Sequence, residues 1–128
     1  MQQVLSPPRD VTRCLAFSPD GGVLAWAGTD REIRLWDLAA RREGGTLIGH
    51  KDTVVSLAFT PDGRTLASGS WDRTVRLWHV PTAQALAVLP EHGGRVFAVA
   101  FSPDSRTLAS GGEVAAGRGE VRLWQAGR

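Results

Sequence analysis

The chain has no tyrosine, one cysteine, one methionine and, in Lys51, a single lysine among its 128 residues. A lone cysteine excludes an intrachain disulfide and a multi-cysteine zinc site. Cys14 is expected to pack as a small apolar residue in a strand. No apolar run approaches the ~20 residues that a membrane helix needs. Residues 1–8 have neither the basic start nor the apolar core of a signal peptide. A cytoplasmic protein with no membrane partner is therefore expected. The net charge of +2 and the pI near 9.5 reflect a small excess of scattered arginines rather than a basic tract. Nucleic-acid binders cluster their cations on one face, so no nucleic-acid partner is expected. His50, His79 and His92 are isolated, with no second ligand at close spacing, and no metal is expected. Gly111-Gly112 and Gly117-Arg118-Gly119 sit in a long turn rather than before a helix, which removes the phosphate-loop and dinucleotide readings and leaves no cofactor.

What the chain does contain is one stretch written three times. Leu66-Ala67-Ser68-Gly69-Ser70 leads into a polar turn at Trp71-Asp72-Arg73, and Thr74-Val75-Arg76-Leu77-Trp78 follows. Two alternating segments around a turn predict a β-hairpin. The stretch recurs at Leu24–Trp36 and, around a longer turn, at Leu108–Trp124. Phe17, Phe59 and Phe101 are spaced 42 residues apart, as are Trp36 and Trp78, whereas Trp124 lies 46 beyond Trp78. The four extra residues fall within Glu113–Glu120, a loop expected to be the most mobile segment of the repeats. Each copy opens with an apolar strand ending at Phe17, Phe59 or Phe101. A turn follows: Ser18-Pro19-Asp20-Gly21, Thr60-Pro61-Asp62-Gly63 or Ser102-Pro103-Asp104-Ser105. Proline presets φ, aspartate bonds its own backbone and glycine supplies a positive φ, so Ser105 is expected to weaken or alter its turn. A more variable fourth strand is predicted at Thr46–Ile48 and at Ala85–Leu89. Short strands at this spacing predict an all-β fold.

Gly49-His50, Phe59 with Pro61-Asp62-Gly63, Ser68, Asp72 and Trp78 together resemble the WD40-repeat family of β-propellers. The resemblance spans nearly the whole chain. The Trp-Asp pair stands as Trp36-Asp37 and becomes Trp78-His79 and Trp124-Gln125 in the other copies. It implies one domain, 1–128, of three four-stranded antiparallel blades, part of a propeller closed by oligomerisation. The repeats are about 9–48, 49–90 and 91–128, with residues 3–6 an orphan outer strand.

The family's pattern also implies a structural hydrogen-bond network. In repeat 2, Asp72 accepts from His50, His50 contacts Ser68, and Ser68 accepts from the Trp78 indole. Repeat 3 keeps His92, Ser110 and Trp124 but has its turn aspartate displaced. Repeat 1 keeps Asp30 and Trp36, with Pro8 in place of the histidine and Trp26 in place of the serine. A His-Ser-Asp set invites a triad reading. A buried indole N–H needing an acceptor explains it better, because a nucleophilic serine needs exposure and an oxyanion hole. By the same resemblance, the partner-binding rim comprises Arg13, Thr29, Thr53, Val55, Trp71, Arg95 and Phe97, along with Val11.

The function so implied is a non-enzymatic protein-interaction scaffold, taking an unidentified protein or peptide at one rim of the channel. One rival is a fragment of a larger bacterial regulatory protein, a kinase or NTPase with a propeller sensor. The other is a hydrolase or lyase working at the channel mouth. Counting strands places Val4-Leu5 at a fourth strand, 42 residues ahead of Thr46-Leu47. Closed propellers have about 4–8 blades, so three cannot close alone. A homodimer of six blades is expected first, and a trimer second. In the dimer Val4-Leu5 pairs with Val121–Trp124 of the other copy.

Overall fold

The computed structural model describes residues 3–5, 11–115 and 117–125. Every regular element in them is a β-strand: β1 (Thr12–Phe17), β2 (Val23–Gly28), β3 (Ile33–Asp37), β4 (Arg42–Leu47), β5 (Val54–Phe59), β6 (Thr65–Ser70), β7 (Val75–His79), β8 (Gln84–Val88), β9 (Val96–Phe101), β10 (Thr107–Ala115) and β11 (Arg118–Gln125). They form three antiparallel sheets in plain neighbour order: β1 to β4, β5 to β8, and β9 to β11. The third sheet thus has three strands among the described residues, and β11 is its edge. Gln3, Val4 and Leu5 stand outside any sheet of this chain. Ser6, also assigned to the orphan strand, lies outside the described residues, as does Pro8.

The β1–β2, β5–β6 and β9–β10 turns are built alike. The hydroxyls of Ser18, Thr60 and Ser102 donate to the carboxylates of Asp20, Asp62 and Asp104 at 2.7, 2.6 and 2.6 Å. The same carboxylates accept the N–H groups of Gly22, Arg64 and Arg106. Gly21 and Gly63 sit at φ 75° and 72°, and Ser105 is held at φ 63°. Its N–H still donates to Ser102 O at 2.9 Å, as Gly63 N does to Thr60 O at 2.8 Å, so the serine keeps the turn type. The cost is a left-handed backbone that glycine adopts freely. Ser105→Gly is therefore expected to raise stability by about 0.5–1 kcal/mol, read as an upward shift in the melting temperature.

The sheets stack face to face. Ala25, Ile33, Leu35 and Leu47 of the first sheet close on Val54, Leu66 and Trp78 of the second. Ala67 and Val75 of the second close on Val96, Val99 and Leu108 of the third. One position ties each pair of blades along the innermost strands. The Cys14 thiol donates to Val54 O at 3.6 Å, and the Ser56 hydroxyl, 42 residues on, accepts Val99 N–H at 3.0 Å. Burial pushes the Cys14 thiol up to about 12, against a smaller opposing effect of the Ala27 backbone. It stays protonated and packs as a small donor.

The insertion differs from expectation. Glu113–Glu120 is not a loose loop: Glu113 pairs with Gly119, Gly112 with Glu120, and Ala115 with Arg118. The extra residues lengthen the β10–β11 hairpin because Gly117, at φ 76°, turns the chain tightly enough for the ladder to continue. Ala116 lies outside the described residues.

Candidate interaction rim

One end of the stack carries the β2–β3, β6–β7 and β10–β11 turns together with the residues entering β1, β5 and β9. Three equivalent backbone bonds put them there: Thr29 N to Val11 O at 3.1 Å, Trp71 N to Thr53 O at 3.0 Å, and Glu113 N to Arg95 O at 3.0 Å. The first-strand pairings are also bulged at equivalent places. Thr12 faces Gly28 and Cys14 faces Ala27, which leaves Arg13 as the extra residue; Val55 and Phe97 are the extras in the other two sheets. A bulge re-aims its unpaired residue, and here it turns Arg13 and Phe97 outward at the rim.

The side chains converge on Trp71. The Arg13 guanidinium lies 5.5 Å from the centre of its ring and that of Arg95 5.3 Å; Arg95 is also 5.3 Å from the Phe97 ring. Arg95 Nε donates to Glu113 Oε1 at 2.6 Å. Arg13, Arg95 and Phe97 are exposed and Trp71 is half-buried. Three blades therefore contribute to one cationic and aromatic patch. Thr29 stands at the edge with its hydroxyl accepting Val11 N–H at 3.2 Å. Val55 is half-buried. Thr53 is buried, and its carbonyl accepts from both Trp71 N and Ser70 Oγ, so it holds the turn in place. Glu113 belongs to this patch and was not singled out beforehand. The signal was its place 42 residues after Trp71, which the insertion obscures.

Beneath the rim lies the polar network. His50 Nδ1 is 2.8 Å from Asp72 Oδ2, His50 Nε2 is 2.6 Å from Ser68 Oγ, and Trp78 Nε1 donates to Ser68 Oγ at 2.8 Å. An ionised Asp72 only accepts, so Nδ1 carries the proton and Nε2 accepts from the serine hydroxyl. Asp72 also accepts Lys51 N–H, Thr74 N–H and the Thr74 hydroxyl. Desolvation pushes its carboxyl up, but hydrogen bonds from His50, Thr74 and Lys51 outweigh that and hold it well below the usual range. Ser68 is fully buried, as is Ser110. Neither can meet a substrate, which removes the triad reading.

Repeat 3 forms the expected chain, with one added member that was not expected. His92 Nε2 is 2.6 Å from Ser110 Oγ, and Trp124 Nε1 donates to Ser110 Oγ at 2.8 Å. Glu120 takes the part of the displaced aspartate, its Oε1 3.0 Å from His92 Nδ1. Counted back from the tryptophan, Glu120 matches Thr74, which already lies near His50 in repeat 2. Asp30 and Trp36, grouped with the network by sequence, do not form one. Asp30 pairs with Arg34, and buried Trp26 fills the position from which a serine would accept the Trp36 indole N–H.

Among the described residues, no three His, Cys, Asp or Glu side chains come together as a metal site. At the opposite rim a cleft of about 320 Å³ is bordered by Asp20, Asp37, Asp62 and Arg64. Its carboxylates already accept local turn hydrogen bonds, Asp37 from Ala40 N and the other two as described above.

The family model for "WD domain, G-beta repeat" matches residues 2–37, 41–79 and 83–125. The general transcriptional corepressor TUP1 of Saccharomyces cerevisiae is 42% identical over 52 residues, a match covering 40% of this chain and 7% of that protein. Two solved structures, "Crystal structure of RRP9 WD40 repeats" and "Structure of U3-55K", superpose with a TM-score of 0.87 at 25% identity, covering 96% of this chain. The chain spans 38% of the length of each.

Proposed function

The chain belongs to the WD40-repeat family, and on that premise we propose that it is a non-enzymatic scaffold that takes a partner protein or peptide on the Arg13–Trp71–Arg95–Phe97 rim. WD40 propellers are generally non-enzymatic and mediate protein–protein interaction. The observation that carries the proposal is the convergence of two arginines on Trp71, with Phe97 beside them, from three different blades. Tryptophan and arginine are the residue types that most often anchor interfaces. The cations hold the half-buried ring, and the turn backbone beneath is fixed by Thr53. The working form is an assembly of chains, a dimer before a trimer.

The test compares proteins captured from a lysate by wild-type chain, by Trp71→Ala and Arg95→Ala variants, and by Arg64→Ala at the opposite rim, with each variant's fold checked by circular dichroism. Loss of one anchor is expected to weaken capture by roughly thirty-fold, equivalent to about 2 kcal/mol. Arg64→Ala should leave capture unchanged. Equal capture by all variants would overturn the rim assignment.

A further inference from the structure

The repeat supplies an internal control for what covers each face. Ile33 and Val75 occupy the same place in the first and second sheets, and each is 0% exposed because the next sheet lies on it. Val121 holds that place in the third sheet and is 75% exposed. Leu35 is 2% exposed, whereas its counterpart Leu123 is 66% exposed. At the other end Leu15 and Phe17 are 62% and 60% exposed, although their counterparts Leu57 and Phe59 pack into the cluster between the first two sheets. The chain therefore carries both halves of one interface, a Val121–Leu123 face and a Leu15–Phe17 face. The exposures show that the two do not meet within one molecule.

A second mismatch falls at the same seam. Each matched repeat unit opens on the fourth strand of one blade and then runs through three strands of the next. The units at 41–79 and 83–125 open on β4 and β8, and the unit at 2–37 opens on Gln3–Leu5. These three residues line a cleft of about 270 Å³ with Thr12, Leu15, Leu24 and Trp26. The same positions one repeat later are Val54, Leu57, Leu66 and Ser68. Leu47 of β4 packs in one cluster with the first three. Gln3–Leu5 therefore already stands over its own first blade where the fourth strand of a preceding blade would stand, without the other three strands. Among the described residues the β9–β11 sheet has three strands, with β11 unpaired on its outer side.

We propose that a second copy of this chain supplies the missing part on each side. The β9–β11 sheet of one copy stacks on the Leu15–Phe17 face of the other, and Gln3–Leu5 of that other copy pairs along the β11 edge. The register follows from the internal blades. Leu47 lies opposite Ile33, and Leu89 N donates to Val75 O at 2.9 Å. Leu5 accordingly lies opposite Val121, with its N–H donating to Val121 O. Repeating the seam in both directions closes two chains into six blades, inside the range of about 4–8 for closed propellers. Burying both apolar faces and the β11 edge together is what drives the association. This deepens the assembly proposed above and rests on it; the rim reading does not enter.

The test mixes two full-length chains, both carrying Cys14→Ser, one with Leu5→Cys and the other with Val121→Cys. Facing strand residues lie within disulfide reach, so oxidation is expected to convert most of the mixture into one mixed-disulfide species of twice 13.7 kDa. In parallel, Val121→Asp is expected to halve the light-scattering mass while keeping the β-sheet spectrum, since Val121 is exposed in the single chain. A dimer that forms no mixed disulfide would overturn the strand exchange and leave the assembly standing. A wild-type chain that scatters as a folded monomer would overturn both, and would indicate that further blades of a longer chain cover these faces.

Discussion

Trp78→Ala is expected to lower stability by ~3–5 kcal/mol, the range for removing a buried tryptophan from a packed core. Trp78 is the largest fully buried side chain and lies in the cluster joining the first two sheets. Its loss opens a cavity there and leaves Ser68 with one partner fewer. Trp36 holds the same place one blade earlier but faces the open side of the first sheet and is only half-buried. In the Val121→Asp background, chosen to remove the proposed self-association, Trp36→Ala is expected to cost less than half as much. Chemical denaturation of the two variants measures the difference. Equal losses would mean that the inter-blade contact of Trp78 contributes nothing beyond its own hairpin.

The stability of that network bears on the rim. Asp72 is the neighbour of Trp71 in the β6–β7 turn, and Asp72 N–H donates to Ser70 Oγ at 3.0 Å. Ser70 Oγ in turn donates to Thr53 O. The turn is thus held from below by His50 and from the side by Thr53, while its outward residue meets Arg13 and Arg95. A rigid base under a partly exposed aromatic reduces the ordering cost of binding. The network has no access to a substrate, and under the proposed rim function its part is to hold Trp71 in place.

Much of this was legible in sequence because the repeat counts strands. The 42-residue period set the phase of every blade, and Ser68 and Trp78 fell where a buried indole needs an acceptor. What was hidden is what the period does not carry. The residues of the insertion pair with each other, which composition alone does not reveal when Gly117 and Gly119 suggest a slack loop. Glu120 approaches His92 from the position of Thr74, so a search for aspartate at the aspartate position passes over it. Thr53 was expected at the rim, but it lies just before the β5 bulge, and its carbonyl is drawn inward by two donors. Arg13 and Phe97 were expected at the rim by resemblance; the bulges that aim them there are a matter of hydrogen-bond register, invisible in residue type.

Asp72→Asn is expected to cost ~1–3 kcal/mol, because the amide keeps one accepting oxygen and puts an NH2 donor in place of the other, which leaves buried donors unsatisfied. The wild-type carboxylate serves His50, Lys51 N, Thr74 N and the Thr74 hydroxyl, and its side chain is 7% exposed. Asp20→Asn, in an exposed turn, should cost much less. The pH dependence gives a second readout with a defined sign. The folded-state pKa of Asp72 is lowered from 3.8, so its stabilisation is complete above that value. It is lost as pH falls through the unfolded value toward the folded one. His92 acts in a higher window. Burial first, then the nearby Arg122 charge, lowers its pKa from 6.5, against an opposing effect from Glu120. The unfolded chain therefore takes up that proton first, and stability falls as pH drops below about 6.5. In Asp72→Asn the decline beginning below about pH 6.5 should remain, while the steeper decline below about pH 4 should flatten. Melting temperatures of wild type and variant from pH 7 to pH 3 separate the two windows. Parallel curves over the acid range would show that Asp72 titrates in the folded chain as it does in the unfolded one, and that the network does not hold its charge.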